Sequence, residues 1–451
     1  MKYQKHETAR ASLLAGAEQV ASVVAPTLGP KGHYVVLGGE KPIITNDGAT
    51  IAAHLKIEDP FEAVGAEVVR GVAKNVATIV GDGTTTATLL TAEMLKLGLA
   101  SGRHANDLSK ELSSAALETV GKLQEASRPV TPSELVDVGK RACKDEQLGS
   151  TIAELINKIG PDSHVFVESG MHTSGEVMQG SVFSAKYLLN RGDVPIPLKA
   201  IENVHVLAFD HLFTDFQRVI PIIEELIEKG EKKLIVICEG IDGEALRSAV
   251  SNHARGSFTV YPVKVENTKE AAIVFGARLF LAHETGNPNK DELGFASKVL
   301  LTTERMIVVD PKGSPEKAIE SLKGEGLVRE IVDRRSAQLS GHIGVLTISS
   351  FGETELDDKR IRSDDGIRAC QAALRGGVVQ GGGAAYVEAT KDCKSEIMKS
   401  VVSVIQKTID DNAGYHVPSD GIVDPTLVLI TALVHSTTAA CQLLSSEAIL
   451  L

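Results

Sequence analysis

The residue types with the most chemical potential sit in short glycine- and acid-bearing segments. In Gly81-Asp82-Gly83-Thr84-Thr85-Thr86-Ala87-Thr88 two glycines free the backbone to approach a ligand, and the threonines open a helix. A helix start offers unpaired N–H groups to anions, hydroxyls add donors, and a neighbouring carboxylate can hold magnesium against phosphate charge. The segment reads as a phosphate cradle, although an isolated Gly-Asp-Gly is more often an Asp-Gly turn before a Thr-capped helix. No GxxxxGK[ST] or GxGxxG stands beside it. Thr27 to Gly32 adds a loop with Gly, Pro and Lys, and Asn46-Asp47-Gly48 sets an acid at a helix entrance. Asp364-Asp365-Gly366 places two acids ahead of a predicted helix, Ile367 to Arg375. Phosphoryl transfer to water needs magnesium, donors around the phosphates and a carboxylate to position or deprotonate the water, so each role has a candidate. Gly376-Gly377-Val378-Val379-Gln380-Gly381-Gly382-Gly383 is too glycine-dense for an element interior and suits close contact with a flat ligand such as a nucleotide base, or a flexible connection.

These segments must be positioned by a large fold. The 451 residues suffice for more than one core, and 59 acids against 47 Lys and Arg argue against a phosphate backbone as the main partner. Aromatics are 4% with no Trp, so the core is aliphatic. The cysteines, Cys143, Cys238, Cys370, Cys393 and Cys441, form no CxxC pair, which disfavours a disulfide framework or zinc ribbon and fits a reducing cytosol. Met1 to Gly16 has no apolar signal core, and no uncharged apolar run is expected to reach the roughly 18 residues of a membrane span; Leu427 to Val434 reads as a core helix. Helical spacing covers Thr8 to Val24, Phe61 to Leu99 with a break at Gly81-Asp82-Gly83, and on to about Ala126. Tyr34 to Leu37 and Ile43 to Thr45 look like short strands. In the centre, Val204 to Phe209, Leu234 to Cys238, Thr259 to Val265 and Met306 to Val309 alternate with helical patterns such as Phe213 to Lys229, which implies an α/β domain with a partly parallel sheet. The ends resemble each other and differ from the centre, as expected of one domain inserted into another.

The ordered series TLGPKG (27 to 32), TNDGAT (45 to 50), VGDGTTTAT (80 to 88), DDGIRACQAALRGGVVQGGG (364 to 383) and GIVDPT (421 to 426) resembles the chaperonins, in particular the bacterial group I, GroEL type. The resemblance implies a multidomain α+β subunit. Its parts would be a mostly helical equatorial domain (1–126 and 375–451), a small α/β intermediate domain (127–180 and 342–374) and an α/β apical domain (181–341). It further implies a cytoplasmic, ATP-hydrolysing folding chaperone with magnesium, and potassium as a further candidate cation. Such a chain would assemble into homo-oligomeric, heptameric rings, bind unfolded clients and meet a GroES-type lid, with neither nucleic acid nor membrane as partner. By motif position Thr27, Leu28, Gly29 and Pro30 would meet the phosphates. Asp82 would hold the metal, with Gly83, Thr84, Thr85 and Thr86 around the nucleotide. Gly382 and Asp424 would lie at the nucleoside, and Asp365 and Asp47 would serve hydrolysis. In the apical domain Tyr187, Ile220, Ile223, Leu246 and Val250 would bind clients. Phe216, Val219, Ile220, Ile223 and Ile227, and likewise Leu246, Ala249 and Val250, form helical stripes of a kind that is more often core.

The chain departs from that family at several points. The connection between Asn412-Ala413-Gly414 and Gly421 is short, so an Asn-Ala-Ala contact to adenine is missing, and Asn46 replaces a lysine near the phosphates. Around the ring-to-ring face Lys407 keeps a charge, whereas His416, Pro418 and Ser419 replace acidic and small residues. The sequence ends at Leu451 without a Gly-Gly-Met tail. A compact, divergent chain of this kind suits a viral or specialised chaperonin, acting in a host cytoplasm. A ring-forming holdase without productive hydrolysis is the rival reading.

Overall fold

The computed structural model describes residues 3–38, 43–189, 195–197, 200–284, 286–302, 304–324, 332, 335–336, 338–339, 341–350 and 352–451. The chain divides into two units, Met1–Asp162 with Ser350–Leu451, and Ser163–Ser349.

The first unit is mainly helical: His6–Val24, Pro60–Val80, Thr84–Ala100, Ala105–Ala126, Pro132–Cys143, Glu146–Ile159, Glu353–Gly376, Glu396–Ala413 and Thr426–Ser445 are its longer helices. Their starts follow from local chemistry. Asp59 caps Pro60–Val80 ahead of a proline in the first turn, and Thr131 with Glu134 forms a capping box on Pro132–Cys143. Thr426–Ser445 is long and apolar enough to cross a membrane by length and composition, which corrects the expectation that no uncharged run reaches that length. Uncharged Ser436, Thr437 and Thr438 extend the run beyond Leu427 to Val434. In this unit it is a core helix, with Leu429, Leu433, Ala440 and Leu444 buried. Three two-stranded sheets complete the unit. Tyr3–Lys5 pairs with Ala448–Leu450, Val35–Leu37 with Ile43–Thr45, and Val378–Gln380 with Val423–Pro425, all antiparallel.

Asp364 and Asp365 lie inside the helix Glu353–Gly376, not ahead of a helix beginning at Ile367. The charged stretch before them looks like a loop by hydropathy, yet its charges pair along the helix: Lys359 with Glu355, Arg360 with Asp357, and Arg362 with Asp358.

The second unit is built on a nine-stranded mixed sheet. Ile201–Phe209, Lys233–Ile237 and Thr259–Val265 run parallel, as the alternation predicts, and Gly294–Leu301, Arg305–Pro311 and the long Ser174–Tyr187 continue antiparallel. Thr259–Val265 also pairs with Ser174–Tyr187, which closes that part of the sheet on itself. Val165–Gly170 and His342–Ser349 pair with each other, and His342–Ser349 with Ser174–Tyr187, so strands expected in an intermediate domain belong to this sheet. Phe213 to Lys229 is not one helix: a short strand Leu212–Phe213 and a 3-10 turn Gln217–Val219 precede the helix Ile220–Glu228. Pro221 sets that start, because it fixes φ and lacks the N–H a longer helix would use.

Candidate functional site

The acid-bearing segments converge within the first unit. Gly81 (φ +70°) ends Pro60–Val80 and Gly83 (φ +82°) opens Thr84–Ala100, so Asp82 stands between two left-handed residues that a side chain would strain. Its Oδ1 accepts from Gly83 N at 2.6 Å, and no side chain caps the first turn at Thr84, Thr85 and Thr86. Those N–H groups are free for an anion. A Cβ on Gly81 would stand 2.7 Å from the Asp365 carbonyl oxygen and 3.1 Å from its Cα, so the helix Glu353–Gly376 rides on this turn. Gly48 makes the second close approach: a Cβ there would lie 2.5 Å from Thr85 Oγ1 and 3.0 Å from Thr84 Oγ1. The structure thus brings Asp47, Asp82 and Asp365 to one place.

Asp47 caps the helix Gly48–His54, its Oδ2 accepting from Thr50 N at 2.7 Å. Asp365 is half-buried. Burial first, then the negative charges of Asp47, Asp82 and Asp364, push its carboxyl up to about 8, and Arg368 opposes them. Asp364 is also raised, by desolvation of its carboxyl, with Arg368 opposing. Among the described residues no group of three acids, histidines or cysteines could hold a metal ion unaided. Crowded carboxylates beside a bare helix start fit a hard divalent cation that takes its remaining ligands from phosphate oxygens and water.

The loop Thr27 to Gly32 joins the same region. Thr27 Oγ1 donates to the Val24 carbonyl at 2.7 Å and lies 3.3 Å from Thr85 Oγ1. Asn412 Nδ2 donates to the carbonyls of Ala25 and Leu28, each at 2.9 Å, and Gly32 N to the Gly29 carbonyl at 3.0 Å. Gly29 and Pro30 are exposed on that turn. On the other side Asp424 Oδ2 accepts from Gly382 N at 3.0 Å. Burial raises the Asp424 carboxyl, Asp82 adds to the effect and Arg141 opposes it.

Sequence reasoning misses Lys144. It ends Pro132–Cys143 in the left-handed region (φ 51°), and its Nζ donates to the Asn46 carbonyl at 2.6 Å. Burial lowers its ammonium, against the pull of Asp47, Asp82 and Asp365. A positive charge therefore returns beside Asn46 from another helix, with no motif to announce it.

The chain matches the TCP-1/cpn60 chaperonin family over residues 20–411. It belongs to that family. As a chaperonin it is a molecular chaperone by family, and the multidomain α+β expectation holds at the level of the fold. Two similar solved structures are of the chaperonin gp146 from the bacteriophage EL 2 (Pseudomonas aeruginosa), both in presence of ATP-BeFx. One, crystal form II, aligns with TM-score 0.68 at 17% identity over 100% of this chain and 99% of that one. The other, crystal form I, gives TM-score 0.66 at 18% identity with the same coverage.

The client-binding residues expected for the chaperonin divide by burial. Tyr187 and Ile223 are buried in the core of the second unit, and Ile220, Leu246 and Val250 are partly buried against it. The stripe is the helix's inner face, whose apolar residues cover the sheet. Ile227 and Leu212, exposed at 44% and 47%, are the large apolar side chains that face solvent on these segments.

Proposed function

We propose that this chaperonin is a magnesium-dependent ATP hydrolase that couples the reaction to the folding of captured proteins. The observation that carries the reading is the convergence of Asp47, Asp82 and Asp365 at the uncapped start of Thr84–Ala100. Asp82 would hold the magnesium, which when bound neutralises triphosphate charge. The first-turn N–H groups, the threonine hydroxyls and the turn Thr27 to Pro30 bind phosphate oxygens, Lys144 supplies a cation in place of one at position 46, and Asp424 with Gly382 flanks the nucleoside. Asp365, carried on a helix against the phosphate turn, takes the proton from the attacking water, with Asp47 orienting that water. In this reading 1–126 and 375–451 form the equatorial part, 127–180 and 342–374 the intermediate part, and 181–341 the apical part. The last falls inside the second unit.

Ring assembly is supported by apolar edges. Val36 and Ile44 on the hairpin Val35–Leu37 and Ile43–Thr45 are exposed, as are Tyr3 and Leu450 on the sheet that ties the two ends of the chain. Short strands with apolar faces and free backbone edges pair readily with a neighbouring copy. A heptamer, a GroES-type lid and a cytoplasmic setting complete the proposal; the five free cysteines suit a reducing compartment. The test is phosphate release from ATP by the full chain with and without magnesium, alongside negative-stain images. Sevenfold rings with magnesium-dependent release support the reading. Rings without release make the chain a holdase, and a monomer that releases phosphate refutes the ring.

A further inference from the structure

The turns Thr27 to Gly32 and Gly381 to Gly383 pack on one helix, Glu396–Ala413. A Cβ on Gly29 would meet Ile409 at 3.2 Å, and one on Gly383 would meet Ile405 at 3.2 Å. One on Gly382 would stand 3.6 Å from Ser419 Cβ and 3.7 Å from Gln406 Oε1. With the nucleoside at Gly382, as proposed above, the base would fall beside Gln406. The short connection after Gly414 closes against this spot: Ser419 Oγ accepts from Gln380 Nε2 at 3.1 Å, and Ile422 N donates to the Ser419 carbonyl at 3.1 Å.

The amide of Gln406 has only one way to face. Its Nε2 donates to Asp410 Oδ1 at 2.7 Å and to the Val417 carbonyl at 3.1 Å, and both partners are pure acceptors. Exchanging nitrogen and oxygen would set acceptor against acceptor twice. Asp410 is itself fixed by Val417 N and His416 Nδ1, each at 2.9 Å. Oε1 is thus a fixed acceptor at Gly382, with no hydrogen bond to it among the described residues.

We propose that Gln406 Oε1 reads the exocyclic amino group of the base, so that this chaperonin selects a 6-aminopurine over a 6-oxopurine. The inference rests on the nucleotide reading above and assigns the discrimination to a residue outside the resembling motifs. An amino group donates to the fixed oxygen. A 6-oxo group sets two acceptors together, and an unsubstituted ring leaves a half-buried acceptor unpaired.

The test is competition binding to the full chain with magnesium, using ATP, ITP and purine riboside triphosphate, which lacks any 6-substituent. The wild type should prefer ATP over both by about tenfold, the scale of one neutral hydrogen bond. In Gln406→Leu the three affinities should fall within about twofold of one another, with ITP binding as in the wild type showing that the fold is kept. Equal affinities in the wild type overturn the inference and leave the nucleotide reading standing, and so does an ATP preference that survives in Gln406→Leu. Should none of the three bind, the nucleotide reading fails and takes the inference with it.

Discussion

Replacing Asp365 by Asn removes one ionisable proton and keeps the shape, and it separates two consequences of the same carboxyl. The wild-type group is pushed up to about 8 from 3.8, first by burial and then by Asp47, Asp82 and Asp364. Folding therefore takes up a proton between roughly pH 4 and pH 8, and the stability of the ligand-free chain is lost as pH rises through that window. Allowing for solvent at a half-buried group, the loss is on the order of 1–3 kcal/mol. In Asp365→Asn this slope should vanish in thermal melts taken between pH 5 and pH 8.5. A carboxyl raised this far favours its protonated form in the ligand-free chain at neutral pH, yet a general base must be ionised. A magnesium ion held beside Asp82 on ATP binding should favour ionisation of Asp365 and release a proton, read by calorimetry in two buffers of different ionisation enthalpy. The Asn variant should bind ATP within a few-fold of wild type, release no such proton, and hydrolyse at least about 10²-fold more slowly. Wild-type turnover in the variant would refute the role, and an unchanged pH slope would refute its electrostatic origin.

A Cβ on Gly366 would lie 2.1 Å from Cys143 Sγ, so Gly366→Ala should cost about 1–3 kcal/mol in denaturant melts and slow phosphate release, and the Cys143→Ala second change should restore both. Val36→Asp with Ile44→Asp alters exposed positions, so melting should hold while sedimentation shows rings giving way to monomers. Lys144→Ala removes a charge facing Asp47, Asp82 and Asp365, and ATP affinity in magnesium should fall about tenfold or more, consistent with loss of a charge-assisted contact. Ile227→Asp should weaken capture of an unfolded protein in a light-scattering assay, whereas Ile223→Asp should unfold the second unit itself, because Ile223 is buried.

What the sequence made legible follows from how local each signal is. Gly81 and Gly83 are needed by a left-handed turn and lie two residues apart, so the turn can be read as a string. The parallel strands of the second unit are β-branched runs buried on both faces, and their pattern survives any tertiary context. The long strand Ser174–Tyr187 carries no clear pattern because its first half is largely polar and exposed or half-buried, and burial begins only at Gly180. The apolar stripe of Ile220–Glu228 carries no mark of which side is covered: a stripe fixes a face, and only the sheet beneath it decides that Ile223 is inside and Ile227 outside.

A shortened loop reads in a sequence as a loss. Absence of a contact segment is visible in a sequence, but replacement is a matter of what moves into the space. On the proposals above Gln406 and Lys144 both stand in for something missing: Lys144 reaches Asn46 from 98 positions away, and Gln406, on the helix that leads into the shortened connection, faces Gly382 across the helix Ala384–Thr390 in sequence. Each is an ordinary residue on an ordinary helix, and each takes its meaning from a hydrogen bond that orients one atom. Such compensation has no motif because the constraint is a position in space, which helices of different origin can satisfy. For a chain at 17% identity to a structure of the same fold, the site chemistry therefore has to be sought among the side chains that fill the gaps, as well as among the motifs that persist.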